Sequence, residues 1–373
     1  MNQAFPVINQ LIHLNHAAVG PWPQVTADAV KDFAQENLQF GSQHYLSWIA
    51  IDKSLRKNIA ELINASSEDE IALVKSTSEG LSFVAYGLGW KPGDNVVGIQ
   101  QEFPSNRFVW ESLSSKGVEF RKLDMDSCLD PEQALFDLCD KNTRLISISA
   151  VQFHNGFKMD LQRVGEFCKD KNILFCVDAI QQVGALEFDA QAIHADFVIA
   201  DGHKWMLSAE GLGFFYVRRE VMQKLSVLQF GWHMVNKLGD YNAQDFELAD
   251  SAKRFECGSA NMLGIYALNA SVKLLLDTGM SSIGSRVIEN SQFLIEQFNS
   301  IDGVDVLIDG SEKRLSGIVT FRSKKMTNSK LYSYLSERQI LCAPRGGGIR
   351  LSPHFYTPRE QLEQVVSIVR DIK

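Results

Sequence analysis

The chain has 373 residues, 45% of them hydrophobic and 22% charged, which is typical of a soluble globular protein long enough for two domains. Its net charge of −8 argues against a general nucleic-acid-binding protein, which would carry a basic surplus. The scattered cysteines lack Cys-x-x-Cys or zinc-binding spacings, so we expect reduced thiols, no metal site and a cytoplasmic location. There is no signal-peptide pattern, and no apolar run approaches the ~18 residues of a membrane span.

Short apolar runs between residues 71 and 217 predict the strands of one sheet. Their continuous apolar character is typical of strands buried on both faces of a mainly parallel sheet. The runs are Ile71–Val74, Asn95–Ile99, Val118–Leu123, Arg144–Val151, Ile173–Asp178, Asp196–Asp201 and Gly213–Val217. Helical patterns lie between them, near 105–116, 131–141 and 160–171. This alternation predicts a layered α/β domain over roughly residues 50–255.

The sequence pattern changes after residue 260. We predict a mostly helical segment from Asn261 to about Ser300, with a break near Thr278–Ser282. The elements predicted after it are strands at Gly317–Phe321, Ile340–Pro344 and Ile349–Ser352 and helices near 328–338 and from Pro358. These elements predict a smaller α+β domain. We therefore divide the chain into an N-terminal segment (1–20), a large domain (21–260) and a small domain (261–373).

Lys204 is the first candidate for chemistry. It lies just beyond a predicted strand, in the motif DGHKW (201–205), and open α/β sheets bind ligands beyond the carboxyl ends of their strands. Most lysines are solvated surface residues. A partly desolvated lysine, however, has a lowered pKa and can form a Schiff base with an aldehyde.

Two further sites match the same chemistry. Asp178 ends the strand Ile173–Asp178, where it either caps a helix or keeps a bound pyridinium nitrogen protonated. Thr77 and Ser78 begin a helix whose free N–H groups could bind phosphate, and Ser76 with Glu79 also fits a capping box. Together with Lys204, these residues provide sites for the aldehyde, ring and phosphate of pyridoxal 5′-phosphate (PLP).

On these residues the sequence resembles the class V aminotransferase group of fold-type I PLP enzymes, which includes cysteine desulfurases, kynureninases and isopenicillin N epimerase-like proteins. The resemblance covers nearly the whole chain. Its motifs are LNHAAVGP (14–21), STSEG (76–80), EFPSNRFVW (102–110), VQFHNGFKMDL (151–161), VDAIQ (177–181), DGHKW (201–205), FECGSANMLGIYAL (255–268) and IRLSPHFYT (349–357). It implies an α/β fold of fold type I, with a mainly parallel seven-stranded sheet in a large domain and a smaller α+β C-terminal domain.

The resemblance also implies roles for the matching residues. Lys204 would form the Schiff base with PLP and move the proton at the substrate α-carbon, while Asp178 would pair with the pyridine nitrogen. The other cofactor contacts would come from Gln181 at the ring hydroxyl, Thr77, Ser78 and His203 at the phosphate, Phe103 stacked on the ring, Asn155 above it, and Ser259 at the phosphate of the neighbouring subunit. The substrate contacts would come from Arg350 at the carboxylate, Arg345 at a distal group, and Asn15, His16 and Ala17. The role of Ser259 implies a homodimer with shared active sites.

Some of these positions have simpler interpretations. Phe103 stands where desulfurases carry a histidine; an aromatic ring can also stack there, and the alternative is a core phenylalanine. Asn155 and its neighbour His154 could belong to an Asn-Gly turn, and Arg345 could be a solvated arginine.

Two other positions set this chain apart from desulfurases. Asp201 stands where desulfurases have a serine near the phosphate; because an anion there is unfavourable unless it turns away or pairs with His203, we assign it no phosphate contact. Cys342 is the nearest candidate for a desulfurase thiolate. It lies in a predicted buried strand, where cysteines are usually inert, so we do not expect persulfide chemistry.

These residues predict a PLP-dependent enzyme that acts on an amino acid or related amine, with an aminotransferase-like reaction as the first expectation. The alternatives are a lyase of the desulfurase or kynureninase kind, an epimerase, and a catalytically inactive PLP-fold binding protein. The combination of Lys204, Asp178, Gln181 and Arg350 argues against the inactive protein. A nucleotide-binding protein is disfavoured because no G-x-G-x-x-G or G-x-x-x-x-G-K-[ST] motif follows a strand. We expect neither nucleic-acid nor membrane partners.

Overall fold

The structure is a computed structural model that describes residues 3–242, 244–308 and 311–372. Its first elements are a short strand and two long helices, β1 (Ile12–His13), α1 (Gln24–Phe40) and α2 (Tyr45–Leu62). Neither helix is among the elements predicted from the sequence. In α1 only Thr26 is fully buried, while Val25, Leu38 and Phe40 are exposed, so the helix lacks a clear apolar stripe. No helix in the described residues has the length and apolar character needed to cross a bilayer.

Seven of the described strands form the predicted central sheet. They are β2 (Ile71–Val74), β3 (Asn95–Ile99), β4 (Glu119–Leu123), β5 (Thr143–Ser149), β6 (Leu174–Asp178), β7 (Phe197–Asp201) and β8 (Gly213–Val217). Their order across the sheet is β2-β8-β7-β6-β5-β3-β4. Strand β8 runs antiparallel to both of its neighbours, and the other pairs are parallel. This confirms the predicted fold class.

Helices follow five of these strands along the chain, and side-chain N-caps begin three of these helices. They are α3 (Thr77–Gly87), α4 (Ser105–Glu111), α5 (Pro131–Asp137), α6 (Leu161–Lys171) and α7 (Arg219–Met222). The side chains of Ser76, Asp130 and Asp160 each accept a hydrogen bond from a backbone N–H three residues on, at the starts of α3, α5 and α6. Helix α3 packs against β2, β7 and β8, so its N-terminus lies at the edge of the sheet where β7 ends.

The C-terminal part contains a second, smaller sheet. Its elements are α8 (Met262–Thr278), α9 (Met280–Asn299), β9 (Val304–Val306), β10 (Val319–Ser323), α10 (Asn328–Ser336), β11 (Ile340–Leu341), β12 (Ala343–Arg345), β13 (Gly348–Leu351) and α11 (Arg359–Arg370). Four of these strands form an antiparallel sheet in the order β12-β13-β10-β9. The predicted break between the two long helices is Gly279, at a φ of 87°.

The prediction of a single strand at Ile340–Pro344 is wrong. The structure divides it into β11, which pairs in parallel with β1, and β12, which pairs with β13. The partner of β11 lies more than 300 residues away in the chain, so no local pattern could indicate the division.

The N-terminal segment connects the two sheets. Its Ile12 and Leu14 pack in the core of the C-terminal sheet, whereas Ala17 belongs to the core of the large sheet. The backbone N–H of Gly20 donates to the carbonyl of His203 at 2.7 Å. Helix α8 packs against α1 and α2. The division of the chain at residues 20 and 260 stays a prediction.

Candidate active site

A cavity of about 260 Å³ lies at the carboxyl ends of β5, β6 and β7. These strands end at Ser149, Asp178 and Asp201, and all three residues line the cavity. Larger surface clefts of about 520 and 610 Å³ occur elsewhere, but Lys204 and Asp178 line neither of them. The smaller cavity is therefore the candidate active site.

Most of the residues predicted for the site line this one cavity. They are Ala17, Thr77, Ser78, Phe103, Asp178, Gln181, His203, Lys204, Arg345 and Arg350. The structure thus brings together the N-terminal segment, the large sheet and the C-terminal sheet. The individual roles assigned to these residues stay predictions.

Lys204 lies in the wall of the cavity, three residues beyond β7. Its Nζ is 5.5 Å from the centroid of the Phe103 ring. Burial lowers the pKa of Lys204 to about 8, an effect that the Asp178 carboxylate opposes and the Arg350 charge reinforces. A considerable fraction of this amine is therefore neutral, and nucleophilic, near physiological pH.

Asp178 is buried at the end of β6 and lies opposite Ser149 in the register of the sheet. Its Oδ1 accepts a hydrogen bond from the N–H of Ile180 at 3.1 Å. In the described structure a turn, not a helix, follows this residue, so the alternative of a helix cap does not apply. Burial raises the pKa of Asp178 to about 6, and the nearby Lys204 charge opposes the rise.

The N-terminus of α3 forms one corner of the cavity. The Oγ of Ser76 accepts from the N–H of Glu79 at 3.3 Å, as predicted for a cap. The Glu79 carboxylate accepts from the N–H of Lys75 at 2.8 Å, one residue before the position that a capping box requires. Ser78 Oγ donates to Ser105 Oγ at 2.9 Å, and both serines line the cavity. Ser76 is thus used as the cap and Ser78 is bonded to Ser105, which leaves the Thr77 hydroxyl of this corner without a partner among the described residues.

Three buried polar atoms around this corner have no hydrogen-bond partner among the described residues. They are Thr77 Oγ1, His203 Nδ1 and Asp201 Oδ1. Asp201 does not turn away from the corner, and its Oδ2 lies 3.7 Å from His203 Nδ1. Because buried polar groups are nearly always hydrogen-bonded, such a cluster is typical of a ligand site.

Gln181 is held in one orientation by its neighbours. Its Oε1 accepts from Trp205 Nε1 at 2.9 Å, and its Nε2 donates to the carbonyl of Ala17 at 3.0 Å. The amide cannot flip without losing both bonds, so its second N–H stays available as a donor in the cavity wall.

Two arginines lie on the side of the cavity formed by the C-terminal sheet. Arg350 is buried, and its guanidinium donates to the carbonyl of Phe153 at 2.7 Å while Nε has no partner among the described residues. Burial and the nearby Arg345 lower the pKa of Arg350 to about 10, so it stays cationic. Arg345 is exposed at the edge of the cavity.

Four predicted site residues do not line this cavity: Asn15, His16, Asn155 and Ser259. The buried ring of His16 lies between the carbonyl of Ser352 and the Tyr356 hydroxyl, at 2.8 and 2.6 Å. These contacts attach the N-terminal segment to the C-terminal part. Asn15 forms a β-bridge with Ser352 and belongs to the same attachment.

The structure contains the turn that was the alternative for Asn155. Its Oδ1 accepts from the N–H of Phe157 at 3.1 Å, and Gly156 has a φ of 83°. Phe153 lines the cavity in this region instead. Ser259 was expected to act on a neighbouring subunit, and that assignment stays a prediction.

The sequence analysis missed several side chains at the site, including Ser105, Ser149, Phe153 and Glu210. A partial signal for Ser149 was available, because it lies within the predicted strand Arg144–Val151, two residues before the predicted end and at the observed end of β5. Behind Ser149 lies the buried Glu102, which accepts from the Ser149 N–H at 2.6 Å, from the Ser149 hydroxyl, and from Gln152 Nε2 at 3.2 Å. Burial raises the pKa of Glu102 to about 7.

Comparisons with known proteins identify the family of the chain. The family model "Aminotransferase class-V" matches residues 12–365. A probable cysteine desulfurase of Methanothermobacter thermautotrophicus is 29% identical over 98% of this chain and 96% of its own. The uncharacterized aminotransferase YcbU of Bacillus subtilis is 27% identical over 98% of this chain and 95% of its own.

A solved structure shares the fold across the whole chain. It is a variant of C-DES with glycine covalently linked to its PLP cofactor. It superposes with a TM-score of 0.91 at 20% identity and covers all of both chains. This likeness confirms the predicted fold.

Proposed function

Because the chain belongs to the class V aminotransferase family, we propose that it is a PLP-dependent enzyme whose amino acid or amine substrate binds beside Lys204. The observation that carries this proposal is the arrangement of Lys204, Asp178 and the N-terminus of α3 around one cavity. A reactive amine, a carboxylate and a helix N-terminus match the aldehyde, the ring nitrogen and the phosphate of PLP.

The polar atoms of the cavity fit this cofactor. Thr77 Oγ1 and His203 Nδ1 are buried without partners among the described residues and could bind phosphate oxygens beside Ser78. Asp178 would pair with the ring nitrogen, and the fixed amide of Gln181 would donate to the ring hydroxyl. Phe103 would cover one face of the ring.

In the proposed reaction, different residues of the chain have different roles. When bound, PLP supplies an electron sink that weakens the bonds at the substrate α-carbon. Arg350 orients the substrate by binding its carboxylate in a two-pronged pair. Lys204 Nζ moves a proton at the α-carbon, and its pKa of about 8 suits both release and uptake near neutral pH.

The reaction type is proposed as aminotransferase-like, with a lyase as the second candidate. The desulfurase names among the relatives favour the lyase. Against a persulfide on Cys342, this thiol is buried, does not line the cavity and has a pKa raised to about 12 by burial. A lyase of this chain would therefore release its product without using Cys342.

A homodimer is part of the proposal. Several large apolar side chains, among them Phe230, Trp232, Tyr241 and Phe246, are exposed in the single chain. Exposed apolar groups of this kind are typical of a protein interface. The cytoplasmic location likewise stays a prediction.

Borohydride labelling tests the function. The protein loaded with PLP should absorb in the violet, and reduction should attach the cofactor to the peptide that contains Lys204, as detected by mass spectrometry. Lys204→Ala should abolish the label, while Lys273→Ala on the exposed face of α8 should keep it. Labelling of Lys204→Ala at the same site would contradict the proposal.

Product analysis then separates the two reaction types. A scan of amino acids should identify those that shift the cofactor absorbance. An aminotransferase converts the substrate into a keto acid only while a second keto acid is consumed. A lyase needs no second substrate and releases the group lost from the side chain.

A further inference from the structure

Asp201 is a buried carboxyl group in the cavity wall that the proposed function does not use. It ends β7 with 8% of its surface exposed and lines the cavity beside Thr77, Ser78 and His203. In the register of the sheet it lies opposite Gly213. A Cβ added at Gly213 would be 2.9 Å from Asp201 Oδ1, so the glycine provides the space that this carboxyl group occupies.

The hydrogen-bonding groups around Asp201 point to a ligand. Oδ1 has no partner among the described residues, and Oδ2 is 3.7 Å from the likewise unpartnered Nδ1 of His203. The backbone N–H of Thr77, at the start of α3, interacts with the carboxylate. Asp201 and a bound phosphate would therefore share the same helix N-terminus.

The charged groups near Asp201 come from three segments. Lys204 favours the ionised carboxylate, whereas Asp178 and Glu210 oppose it. Burial is the largest effect, and together with the two carboxylates it raises the pKa of Asp201 to about 7. Burial and the Lys204 charge lower the pKa of His203 to about 4, so the histidine is a poor alternative holder of a proton.

A phosphate dianion and a carboxylate both accept hydrogen bonds and repel each other at close range. One proton between them converts this repulsion into an O–H···O bond, as in pairs of carboxylates that share a site. Resting on the proposed function, we infer that Asp201 and the phosphate of the cofactor hold one proton between them, so that the cofactor binds together with a proton above neutral pH. One O–H bond forms in this step, on the carboxylate or on the phosphate, and its proton comes from the solvent or buffer.

Calorimetry of phosphate-ligand binding tests this inference. Pyridoxamine 5′-phosphate is the probe, because it carries the phosphate but no aldehyde that could react with Lys204. Its binding to the full-length protein is measured at pH 8 in two buffers of different ionisation enthalpy, which yields the number of protons taken up. We expect the wild type to take up about one proton more than Asp201→Asn, whose amide cannot ionise.

The pH dependence of affinity provides a second readout. Between pH 7 and 9 the affinity of the wild type should fall by up to about tenfold per pH unit relative to Asp201→Asn. Pyridoxamine, which lacks the phosphate, should show no difference between the two proteins. Asp277→Asn is the matched control, because it removes an exposed carboxylate on α8, outside the cavity, and should keep the proton uptake.

The possible failures are distinguishable. Equal proton uptake in wild type and Asp201→Asn, with both binding the probe, would overturn the inference and leave the proposed function intact. Loss of binding in both proteins would overturn the proposed function and this inference with it. If Asp201→Asn does not fold, Asp201→Ser serves as the second variant, with the same expected loss of uptake.

Discussion

At the scale of single residues, burial sets the charge of the groups around the cavity. It lowers the pKa of Lys204 to about 8 and raises that of Asp178 to about 6. Near pH 7, Asp178 is therefore mostly ionised and Lys204 is mostly protonated. A minor fraction of the Lys204 amine is neutral at this pH. The two groups are coupled, because the carboxylate opposes the loss of the lysine proton.

This coupling predicts the pH dependence of cofactor attachment. Only the neutral amine attacks an aldehyde, so the rate of PLP attachment should rise about tenfold per pH unit below pH 8 and level off above it. Asp178→Asn removes the charge that raises the lysine pKa, so the midpoint should move to lower pH. Stopped-flow absorbance from pH 6 to 10 measures both profiles. A midpoint near the ordinary lysine pKa of 10.5 would contradict the burial of Lys204.

Arg350 leads to a prediction about substrate recognition. Arg350→Lys keeps the charge but loses the planar fork that pairs with a carboxylate. We expect KM for an amino acid substrate to rise about 10- to 100-fold, with a smaller change in kcat. Arg345→Ala is the matched control, since Arg345 is exposed and should matter only for substrates with a distal anion. Equal effects of both variants on a substrate without a distal charge would refute this assignment.

At the scale of elements, the N-terminal segment contacts the backbone of His203 and Lys204 from outside the sheet. Gly20 donates its N–H to the carbonyl of His203, and a Cβ at this position would lie 2.3 Å from the carbonyl oxygen of Lys204. Only a residue without a side chain permits this approach. The segment then continues back through Ala17, whose carbonyl holds the amide of Gln181.

Gly20→Ala should therefore disturb both stability and cofactor binding. We expect a loss of about 1–3 kcal/mol in the free energy of unfolding, because the added methyl group forces two backbones apart. Urea unfolding of the protein without added PLP measures it. Gly89→Ala is the control, since a Cβ there meets nothing within 4 Å. If Gly20→Ala unfolds at the same urea concentration as the wild type, the backbones of residues 20 and 204 can separate without loss of stability, which would contradict the prediction.

At the scale of the whole molecule, the exposed aromatic side chains predict self-association. Phe230 and Tyr241 are 65% and 79% exposed in the single chain. Phe230→Glu should weaken the proposed dimer by at least about tenfold, because it places a charge in an apolar interface. Sedimentation velocity measures the effect. Leu129→Glu, at a single exposed leucine away from these aromatics, should leave the dimer unchanged, and a wild type that sediments as a monomer with PLP bound would exclude shared sites.

The large sheet was predictable because its signals are local. The first and last residues of every strand from β2 to β8 lie within two residues of the ends of the corresponding apolar run. Helix α1 was not predictable, because it buries almost none of its apolar residues in the single chain. The strand at Ile340–Pro344 was mispredicted because its halves pair with different partners, and pairing is a long-range choice.

The sequence by itself determined the family and the fold, and it placed Asp178 and Asp201 at the carboxyl ends of buried strands. Such information is local, because strand periodicity, caps and motifs each involve only a few neighbouring residues. Only the tertiary structure decided what surrounds each of these residues. It desolvated the Lys204 amine, assigned His16 to the attachment of the N-terminal segment, and brought Asp201 to the start of α3. Desolvation and charge coupling depend on segments distant in the chain, so the protonation of the site follows from the fold and not from any motif.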